Sequence, residues 1–429
     1  MADKRLDLLL FGATGTTGLH AIRYLHKFAK EKKLTWGISG RSETKLKAVL
    51  KNEGLHIGED LSKIPVVVAD IKDQKSLNEM AQKTKVLLNC CGPYRLMGFQ
   101  VVEACIKAGT HHLDVSGEPS FIDSLPEKYG AAAKEKGIYI VSACGVDCVP
   151  TDLGSTYLQQ QFDGVLNSVV GHVEIWTTGK SNGSVGGYGT WQSLVHECHK
   201  MGSLSELKKK LIPHRDTAFK PALPVKILPH YSEITKGWLM PFLGHDRKIM
   251  HETQKYLYEK DSIRPIHAEV MLSISSIFKL LLLNFLFLVL FVMAQLSFTR
   301  NLLIEYPHIF SCGYVKKEEH PSEEVKEHTR YRLTLYGEGW KEKLANVNDQ
   351  YTMPPNRSIL AQLQFKNAYT FTVLGLIGAG IVILKEKDKL PQSGGVYTAG
   401  AAFRKTSLMK LLLENGTTFE IKSVKDIQI

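Results

Sequence analysis

Three glycines near the N-terminus have a spacing that suits a dinucleotide. The run reads Gly12-Ala13-Thr14-Gly15-Thr16-Thr17-Gly18. It follows the apolar residues 6–11 and precedes residues 19–30, where apolar side chains recur at helical spacing. A strand, a glycine turn and a helix together place a pyrophosphate on the helix N-terminus. In this arrangement Gly12 permits the turn, Gly15 lets the backbone approach the phosphates, and Gly18 allows close helix–strand packing. The loop predicts a nicotinamide dinucleotide cofactor.

The residues after the second strand-like stretch, 35–39, bear on which dinucleotide binds. An acidic residue there would hold the ribose hydroxyls of NAD, whereas an arginine accommodates the extra phosphate of NADP. Arg41 offers a planar guanidinium, and Ser42 can add a hydroxyl. The sequence therefore favours NADP(H), with NAD as the alternative if Arg41 is only a surface residue. Asp70, after the third strand-like stretch, suits either an adenine contact or the capping of a turn.

Polar residues also follow the later strand-like stretches. Ligands of a doubly wound sheet bind outside the carboxyl ends of its strands, so a Gly-Pro turn would place Gly92 and Tyr94 beside the nicotinamide ribose. Reduction often needs an acid that protonates the product. Tyr94, Asp114 and Asp147 are the candidates, although turn and capping roles would suit the same positions. No metal-ligand spacing is present, and we predict no metal site.

Strand-like and helix-like stretches alternate through the first third of the chain. Beyond those named, strand-like runs lie at residues 65–69, 86–90, 112–115 and 138–142. Alternation of this kind is typical of a parallel, doubly wound sheet. Residues 1–150 are therefore predicted to form an α/β, Rossmann-type dinucleotide-binding domain. After Pro150 the alternation stops, and residues 151–390 are predicted to form an α+β substrate domain.

One segment of that second domain is apolar on all sides. Residues 280–298 contain no charged side chain, and as a helix they would extend about 28 Å, close to the roughly 30 Å of a bilayer core. Three interpretations are open: insertion into one leaflet or monolayer, a buried core helix, or a membrane span. A re-entrant segment would have to satisfy its own backbone hydrogen bonds, as a helical hairpin can.

Composition limits the other possibilities. The net charge of +11 favours anionic partners, but the basic residues are scattered and show no nucleic-acid signature. The compact cluster Lys208-Lys209-Lys210 with Arg215 is read as a solvated helix face or a lipid-headgroup contact. Seven cysteines without a CxxC pair argue against a disulfide framework, and the charged N-terminus shows no signal peptide. We expect a compartment that is reducing, like the cytosol.

Several motifs in order resemble the saccharopine dehydrogenase-like oxidoreductases of animals. Besides the glycine loop they are Ser39-Gly40-Arg41, Asn89-Cys90-Cys91-Gly92-Pro93-Tyr94, Asp114-Val115-Ser116-Gly117-Glu118, Gly145-Val146-Asp147-Cys148-Val149-Pro150-Thr151-Asp152-Leu153-Gly154, Gly189-Thr190-Trp191 and Gly394-Gly395-Val396-Tyr397-Thr398-Ala399-Gly400-Ala401-Ala402-Phe403. The resemblance implies association with membranes and lipid droplets. It also implies that a C-terminal segment, 391–429, returns to the dinucleotide domain, and this favours monolayer insertion of residues 280–298 over a span.

These observations lead to one hypothesis and two alternatives. The chain is expected to be an NADP(H)-dependent oxidoreductase that reduces a lipid-linked carbonyl, enoyl or imine group. It would work on a membrane or lipid-droplet surface facing the cytosol, with a small-molecule or lipid substrate, and a homodimer is compatible with this hypothesis. The first alternative is a nucleotide-binding scaffold without turnover. The second is a soluble saccharopine-type enzyme of lysine metabolism.

Overall fold

The computed structural model describes residues 5–178, 184–202, 219–224 and 226–427. The basic cluster Lys208-Lys209-Lys210 with Arg215 lies outside these residues. The chain divides into two compact units, each built from separate pieces of sequence. Unit 1 comprises residues 1–149 and 369–415, and unit 2 comprises residues 150–368 and 416–429.

The strands and helices are named in chain order. The strands are β1 (Leu6–Phe11), β2 (Trp36–Gly40), β3 (Val66–Val68), β4 (Thr84–Asn89), β5 (His111–Asp114), β6 (Tyr139–Val141), β7 (Val165–Thr177), β8 (His230–Ser232), β9 (Gly237–Pro241), β10 (His267–Ile274), β11 (Thr329–Trp340), β12 (Arg357–Lys366), β13 (Gly395–Tyr397) and β14 (Thr417–Asp426). The helices are α1 (Thr16–Lys32), α2 (Glu43–Ile57), α3 (Gln74–Gln82), α4 (Tyr94–Ala108), α5 (Pro119–Ile122), α6 (Ser124–Lys136), α7 (Val149–Gln161), α8 (Tyr188–Lys200), α9 (Asp246–Asp261), α10 (Ile277–Gln295), α11 (Ser297–Glu305), α12 (Pro307–Phe310), α13 (Glu323–His328), α14 (Ala368–Lys385), α15 (Ala399–Phe403) and α16 (Leu408–Glu414).

Unit 1 is built on a parallel sheet with strand order β13-β6-β5-β4-β1-β2-β3. Its strands are short apolar runs, and Leu8, Leu9 and Leu10 of β1 are completely buried. Strands buried on both faces need a continuous apolar sequence. The alternation of strands and helices can therefore be recognised in the sequence of this unit. The predicted doubly wound, Rossmann-type α/β fold is confirmed.

Unit 2 contains a mixed sheet with strand order β14-β12-β11-β7-β10-β9-β8. β7 and β10 are parallel, and the other pairs are antiparallel. Helix α7 packs on one face of this sheet: a Cβ built at Gly154 would touch the side chains of Leu333, Leu335 and Leu363. Helices on a mixed sheet agree with the predicted α+β architecture.

The C-terminal part of the chain is shared between the two units, and the boundaries differ from the predicted one between residues 390 and 391. Helix α14 belongs to unit 1, where its residues from Phe371 to Ile383 are buried. β13 extends the parallel sheet beside β6, but β14 pairs with β12 in unit 2. The prediction that all of residues 391–429 return to the dinucleotide domain is therefore wrong beyond residue 415. The ten residues of β14 instead form backbone hydrogen bonds with β12, which would otherwise be the edge strand of the second sheet.

Within the residues that the structure describes, α10 and α14 are long and apolar enough to cross a membrane, and they differ in burial. Helix α14 is mostly buried in unit 1, as expected of a core helix. Helix α10 is mostly exposed, and its buried side chains are Leu280, Leu290 and Ala294. Leu290 and Ala294 join Trp191 and Val195 of α8 in an apolar cluster. The interpretation of residues 280–298 as a core helix is thus wrong for most of the segment within this chain.

Candidate dinucleotide site of unit 1

The predicted rim residues of unit 1 lie at one edge of its sheet. Since all strands are parallel, their carboxyl ends lie side by side. Phe11 at the end of β1 is in register with Ser39 on one side and Asn89 on the other. Asn89 is in turn in register with Asp114 at the end of β5. The loops after these strands therefore meet along the edge where a doubly wound sheet binds its ligand.

The glycine loop after β1 is shaped by close backbone contacts. Gly12 has a φ of +83°, and a Cβ there would lie 2.9 Å from the carbonyl carbon of Cys90. At Gly18 a Cβ would lie 2.2 Å from the Gly12 oxygen, so only glycine lets α1 start this close to β1. At Gly15 the nearest atom is the Gly12 oxygen, at 3.4 Å. The loop is thus tight at Gly12 and Gly18, with room at Gly15 for a ligand.

Helix α1 presents a bare N-terminus to this loop. Gly15 is the N-cap residue, no side chain caps the helix, and its first turn contains no acidic residue. Ala13 is buried and donates from its backbone N–H to the Ser39 oxygen at 3.3 Å, which ties the loop to β2. Thr14, Thr16 and Thr17 complete the turn with small side chains. The positive end of the helix dipole and the room at Gly15 fit the pyrophosphate of a dinucleotide.

Arg41 and Asp70, which follow β2 and β3, both lie close enough to Cys91 to act on it. Both charges act on the pKa of the Cys91 thiol: burial raises it most, Asp70 raises it further, and Arg41 lowers it. The Arg41 side chain is exposed and can reach a ligand phosphate. The Ser42 oxygen caps α2 by accepting from the Lys45 N–H at 3.4 Å, which leaves its O–H to donate. Asp70 accepts from the Lys72 N–H at 2.9 Å, the turn-capping role considered for it.

Tyr94 has a structural hydrogen bond that limits its use as an acid. Its hydroxyl donates to the Asn89 carbonyl at 3.0 Å, and burial raises the pKa of the phenol well above its usual value. The Tyr94 and Arg95 N–H groups, at the start of α4, donate to the Glu118 carboxylate at 2.8 and 3.0 Å. Gly92 packs under the Tyr94 ring, where a Cβ would lie 3.2 Å from it. Glu118 thus fixes the start of α4, and Tyr94 lines the rim without being poised to give up its proton.

Asp114 lies in a buried polar network at the ends of β4, β5 and β6. Its carboxylate accepts from the Ser142 hydroxyl at 2.6 Å and from the Ser116 N–H at 2.9 Å. The His112 ring lies 3.7 Å away and contacts Asn89 at 3.3 Å on its other side. Burial raises the pKa of Asp114 to about 6 and lowers that of His112 to about 3, so the histidine is neutral. The network fixes the strand ends, and Asp114 has no route to solvent.

Asp147 is the one acid candidate that solvent reaches. It is exposed, whereas Tyr94 and Asp114 are buried. Its Oδ2 lies beside Gly117, where an added Cβ would approach to 2.7 Å. Burial of the carboxyl group against protein raises the pKa of Asp147 to about 6, although the residue as a whole is exposed. An accessible carboxyl that titrates near neutral pH can exchange protons with a ligand and with solvent.

Sequence reasoning had missed several residues that complete this edge. They are His112 and Ser142 in the buried network and Thr372 of α14, whose hydroxyl oxygen accepts from the Val146 N–H at 3.2 Å. A Cβ at Gly145 would lie 2.9 Å from the Thr372 methyl group. Asn89 and Asp114 are polar residues that each end a strand, and this position in the sequence indicates that they lie close together in the network. Nothing in the sequence pairs Thr372 with a loop 226 residues away.

Comparison with known proteins agrees with this geometry. Residues 8–141 match the family described as saccharopine dehydrogenase NADP binding domain. The chain is 35% identical to a Caenorhabditis elegans protein named lipid droplet localized protein, over 99% of this chain and 100% of that one. It is 33% identical to the mouse saccharopine dehydrogenase-like oxidoreductase, over 99% of both chains. The chain belongs to the saccharopine dehydrogenase-like oxidoreductases.

Membership of the saccharopine dehydrogenase-like oxidoreductases confirms the predicted family and the NADP(H) cofactor. A solved structure, apo saccharopine dehydrogenase (L-Glu forming) from Saccharomyces cerevisiae, has the same fold with a TM-score of 0.53. It covers 97% of this chain and 99% of its own at 11% identity. At that identity the likeness concerns the fold of this oxidoreductase and not its substrate.

Proposed function

We propose that this oxidoreductase uses NADP(H) to reduce a lipid-linked carbonyl, enoyl or imine group at a membrane or lipid-droplet surface facing the cytosol. The observation that carries the proposal is the exposed apolar surface of α10. Leu282 and Phe285 are 57% and 61% exposed, in a helix without a polar face toward water. Apolar surface of this extent marks an interaction site in a soluble protein. The name of the Caenorhabditis elegans relative is consistent with a lipid surface.

The burial pattern of α10 favours insertion into one leaflet or monolayer. From Leu281 to Leu286 every residue is exposed, whereas Leu290 and Ala294 pack against α8. The part before Phe287 is ten residues long, which is about 15 Å. A hydrocarbon core measures about 30 Å, so this part reaches about half of that thickness. We infer that the exposed side of α10, which is continuous from Leu281 to Leu286, inserts, and that the side with Leu290 and Ala294 anchors the helix to unit 2.

For the chemistry, we propose that Asp147 supplies the proton. NADPH, when bound, supplies a hydride, so a reduced carbonyl or imine still needs a proton from an acid. Asp147 is exposed and has a raised pKa, whereas the Tyr94 hydroxyl donates to the Asn89 carbonyl and the buried Asp114 carboxylate accepts from Ser142. The glycine loop and Arg41 would hold the pyrophosphate and the extra phosphate of the cofactor.

A scaffold that binds NADP(H) without turnover is the second proposal. It is favoured by the same commitment of Tyr94 and Asp114 to structural roles, which leaves Asp147 as the single accessible candidate among the three acids. A soluble saccharopine-type enzyme is less compatible with the exposed face of α10, because exposing large apolar side chains to water costs about 25 cal/mol per Å².

The test uses the purified chain bound to phospholipid vesicles and to triacylglycerol droplets. NADPH consumption is followed with long-chain aldehydes, enoyl thioesters and imines, and with saccharopine as the soluble alternative. We expect consumption with one lipid class, and a loss of at least tenfold in Asp147→Asn with unchanged NADPH affinity. NADPH binding without consumption of any substrate would favour the scaffold. Consumption driven by saccharopine alone would refute the lipid substrate.

A further inference from the structure

A cavity of about 370 Å³ lies within unit 2, on the sheet face opposite α7. Ser168, Val170 and His172 alternate along β7 and line it. The residue between the last two, Gly171, faces the other way, toward Leu333 and Leu335. Small-molecule sites have volumes of about 300–1,000 Å³, so this cavity is large enough for a ligand. All of its lining residues belong to unit 2.

Carboxylates outnumber ammonium groups in the lining, which contains Glu233, Glu269, Glu338 and the exposed Lys226. Glu269 and Glu338 lie at one end. Glu338 on β11 is in register with Ser168, and Glu269 on β10 is in register with Val170. Glu269 is paired with Arg247 at 3.2 Å. The Glu338 carboxylate accepts from the Tyr336 hydroxyl at 2.7 Å, and no Lys or Arg of the described residues lies within ion-pair distance of it. A partly buried carboxylate that lacks a cationic partner favours a cationic ligand.

The other end holds a buried histidine. The His172 side chain is only 4% exposed, and its Nδ1 atom has no hydrogen-bond partner. Burial, reinforced by His230, lowers the pKa of the ring to about 4, so His172 is neutral at pH 7. A buried polar nitrogen without a partner destabilises the fold, because it has lost its hydrogen bond to water. A ligand hydroxyl reaching His172 would recover this free energy.

The two ends are separated by an apolar floor. Ser168 and His172 are four residues apart on β7, which is about 13 Å at roughly 3.3 Å per residue. Between and beside them lie Val170, Leu239 and Met271. We propose that this cavity binds an elongated aliphatic amine, with its ammonium group at Glu338 and a hydroxyl at its far end on His172. This inference is independent of the reductase proposal.

The probe is aminooctanol, an eight-carbon chain with an amine and a hydroxyl at opposite ends. Nonylamine has the same length without the hydroxyl, and hydroxyoctanoate replaces the amine by a carboxylate. Binding is measured by calorimetry on the full chain in nonionic detergent with saturating NADPH, so that the dinucleotide site is filled. We expect aminooctanol to bind at one site per chain, at least tenfold more tightly than either comparison compound.

Variants locate the site and assign its two ends. Glu338→Gln keeps an acceptor for Tyr336 and should weaken aminooctanol at least tenfold. His172→Phe keeps a ring in place and should remove the advantage of aminooctanol over nonylamine. Glu174→Gln is the matched control, because Glu174 is on β7 too, outside the cavity and paired with Arg332. Equal binding of hydroxyoctanoate, no binding of aminooctanol, or wild-type affinity in Glu338→Gln would each overturn the proposal.

Discussion

We expect Arg41 to be the position at which this protein distinguishes NADP(H) from NAD(H). In Arg41→Asp the ionic hydrogen bonds to the extra phosphate are replaced by repulsion. Hydrogen bonds to charged groups are worth about 1.5–3 kcal/mol, so we expect NADPH affinity to fall roughly 10- to 100-fold while NADH affinity holds or rises. Melting temperature with each nucleotide measures this change. Lys51→Asp makes the same charge change on exposed α2 and should leave both affinities unchanged. Equal losses in both variants would contradict a specific role for Arg41.

Asp114 should make stability depend on pH in an unusual direction. Its pKa of about 6 in the folded protein lies above the ordinary value of 3.8, so the folded state binds the proton more tightly than the unfolded state. The contribution of Asp114 to stability therefore falls as pH rises through this range. Asp114→Asn, which cannot ionise, should be more destabilising near about pH 4 than near about pH 7, by up to about 3 kcal/mol. Denaturant unfolding at both pH values measures this difference, and a cost that grew with pH would contradict the raised pKa.

Asp147 should set the pH dependence of turnover. A carboxyl with a pKa of about 6 is protonated below that pH, so an acid role predicts that kcat falls as pH rises through about 6. Asp147→Asn should lower kcat and remove this inflection without changing nucleotide affinity. Glu103→Gln, an exposed carboxylate bonded to Tyr129 on the same unit, is the control. An unchanged inflection in Asp147→Asn would assign the proton to another group.

At the residue scale, the sequence supports prediction where chemistry depends on neighbours in the chain. The tight backbone packing at Gly12 and Gly18 could be predicted because a turn of seven residues fixes it locally. The hydrogen bond between Asp114 and Ser142 could not be predicted, because it joins two strands whose register is set by the sheet. Tyr94 is a candidate acid from the sequence alone, because the sequence does not reveal the hydrogen bond from its hydroxyl to the Asn89 carbonyl.

Helix α10 has exposed apolar side chains as well as a few packed ones, and this difference gives a prediction at the scale of the element. Leu282→Glu together with Phe285→Glu changes only exposed side chains. We expect vesicle and droplet binding to fall at least tenfold, with the melting temperature unchanged, because no packing is lost. Leu290→Ala is the complementary variant: it should destabilise the fold by about 2–5 kcal/mol through a cavity. Persistent lipid binding of the double variant would show that α10 is not the lipid-binding element.

Hydropathy alone could not distinguish α10 from α14. Both helices are apolar and long enough to cross a bilayer, and the difference lies in what surrounds them. At Gly375 and Gly380 helix α14 has no side chain, so it can lie against Cys144 and against the leucines of the unit 1 sheet. Helix α10 has large side chains on every face. Strand β14 was not predicted because its residues are mostly exposed and four of the ten are charged, as is common at a sheet edge.

At the scale of the whole molecule, the NADP-binding unit is completed by the C-terminal part of the chain. Helix α14 and strand β13 are separated from the first 149 residues by all of unit 2 up to residue 368. A Cβ at Gly380 would lie 2.9 Å from the Leu8 side chain and 3.1 Å from that of Leu88, so α14 packs directly on β1 and β4. The strand that leads into the glycine loop therefore rests on residues near the other end of the sequence.

Two truncations test this dependence. A chain ending at residue 368 retains the glycine loop and Arg41 but exposes the sheet surface that α14 covers. Burial of each large apolar side chain is worth about 1.5–3 kcal/mol, and unit 1 would lose several such contacts. We expect this chain to show no rise in melting temperature with NADPH. The intact chain should gain roughly 2.7 kcal/mol at a hundredfold excess over Kd.

The matched truncation ends at residue 415 and removes only β14, which belongs to unit 2. Unit 1 stays complete in it, so stabilisation by NADPH should persist even if the second sheet loosens at β12. The contrast between the two chains separates loss of the nucleotide unit from general damage at the C-terminus. Stabilisation by NADPH in the chain ending at residue 368 would mean that residues 1–149 form the nucleotide site by themselves. The packing of α14 on β1 would then contribute to stability without supporting the glycine loop.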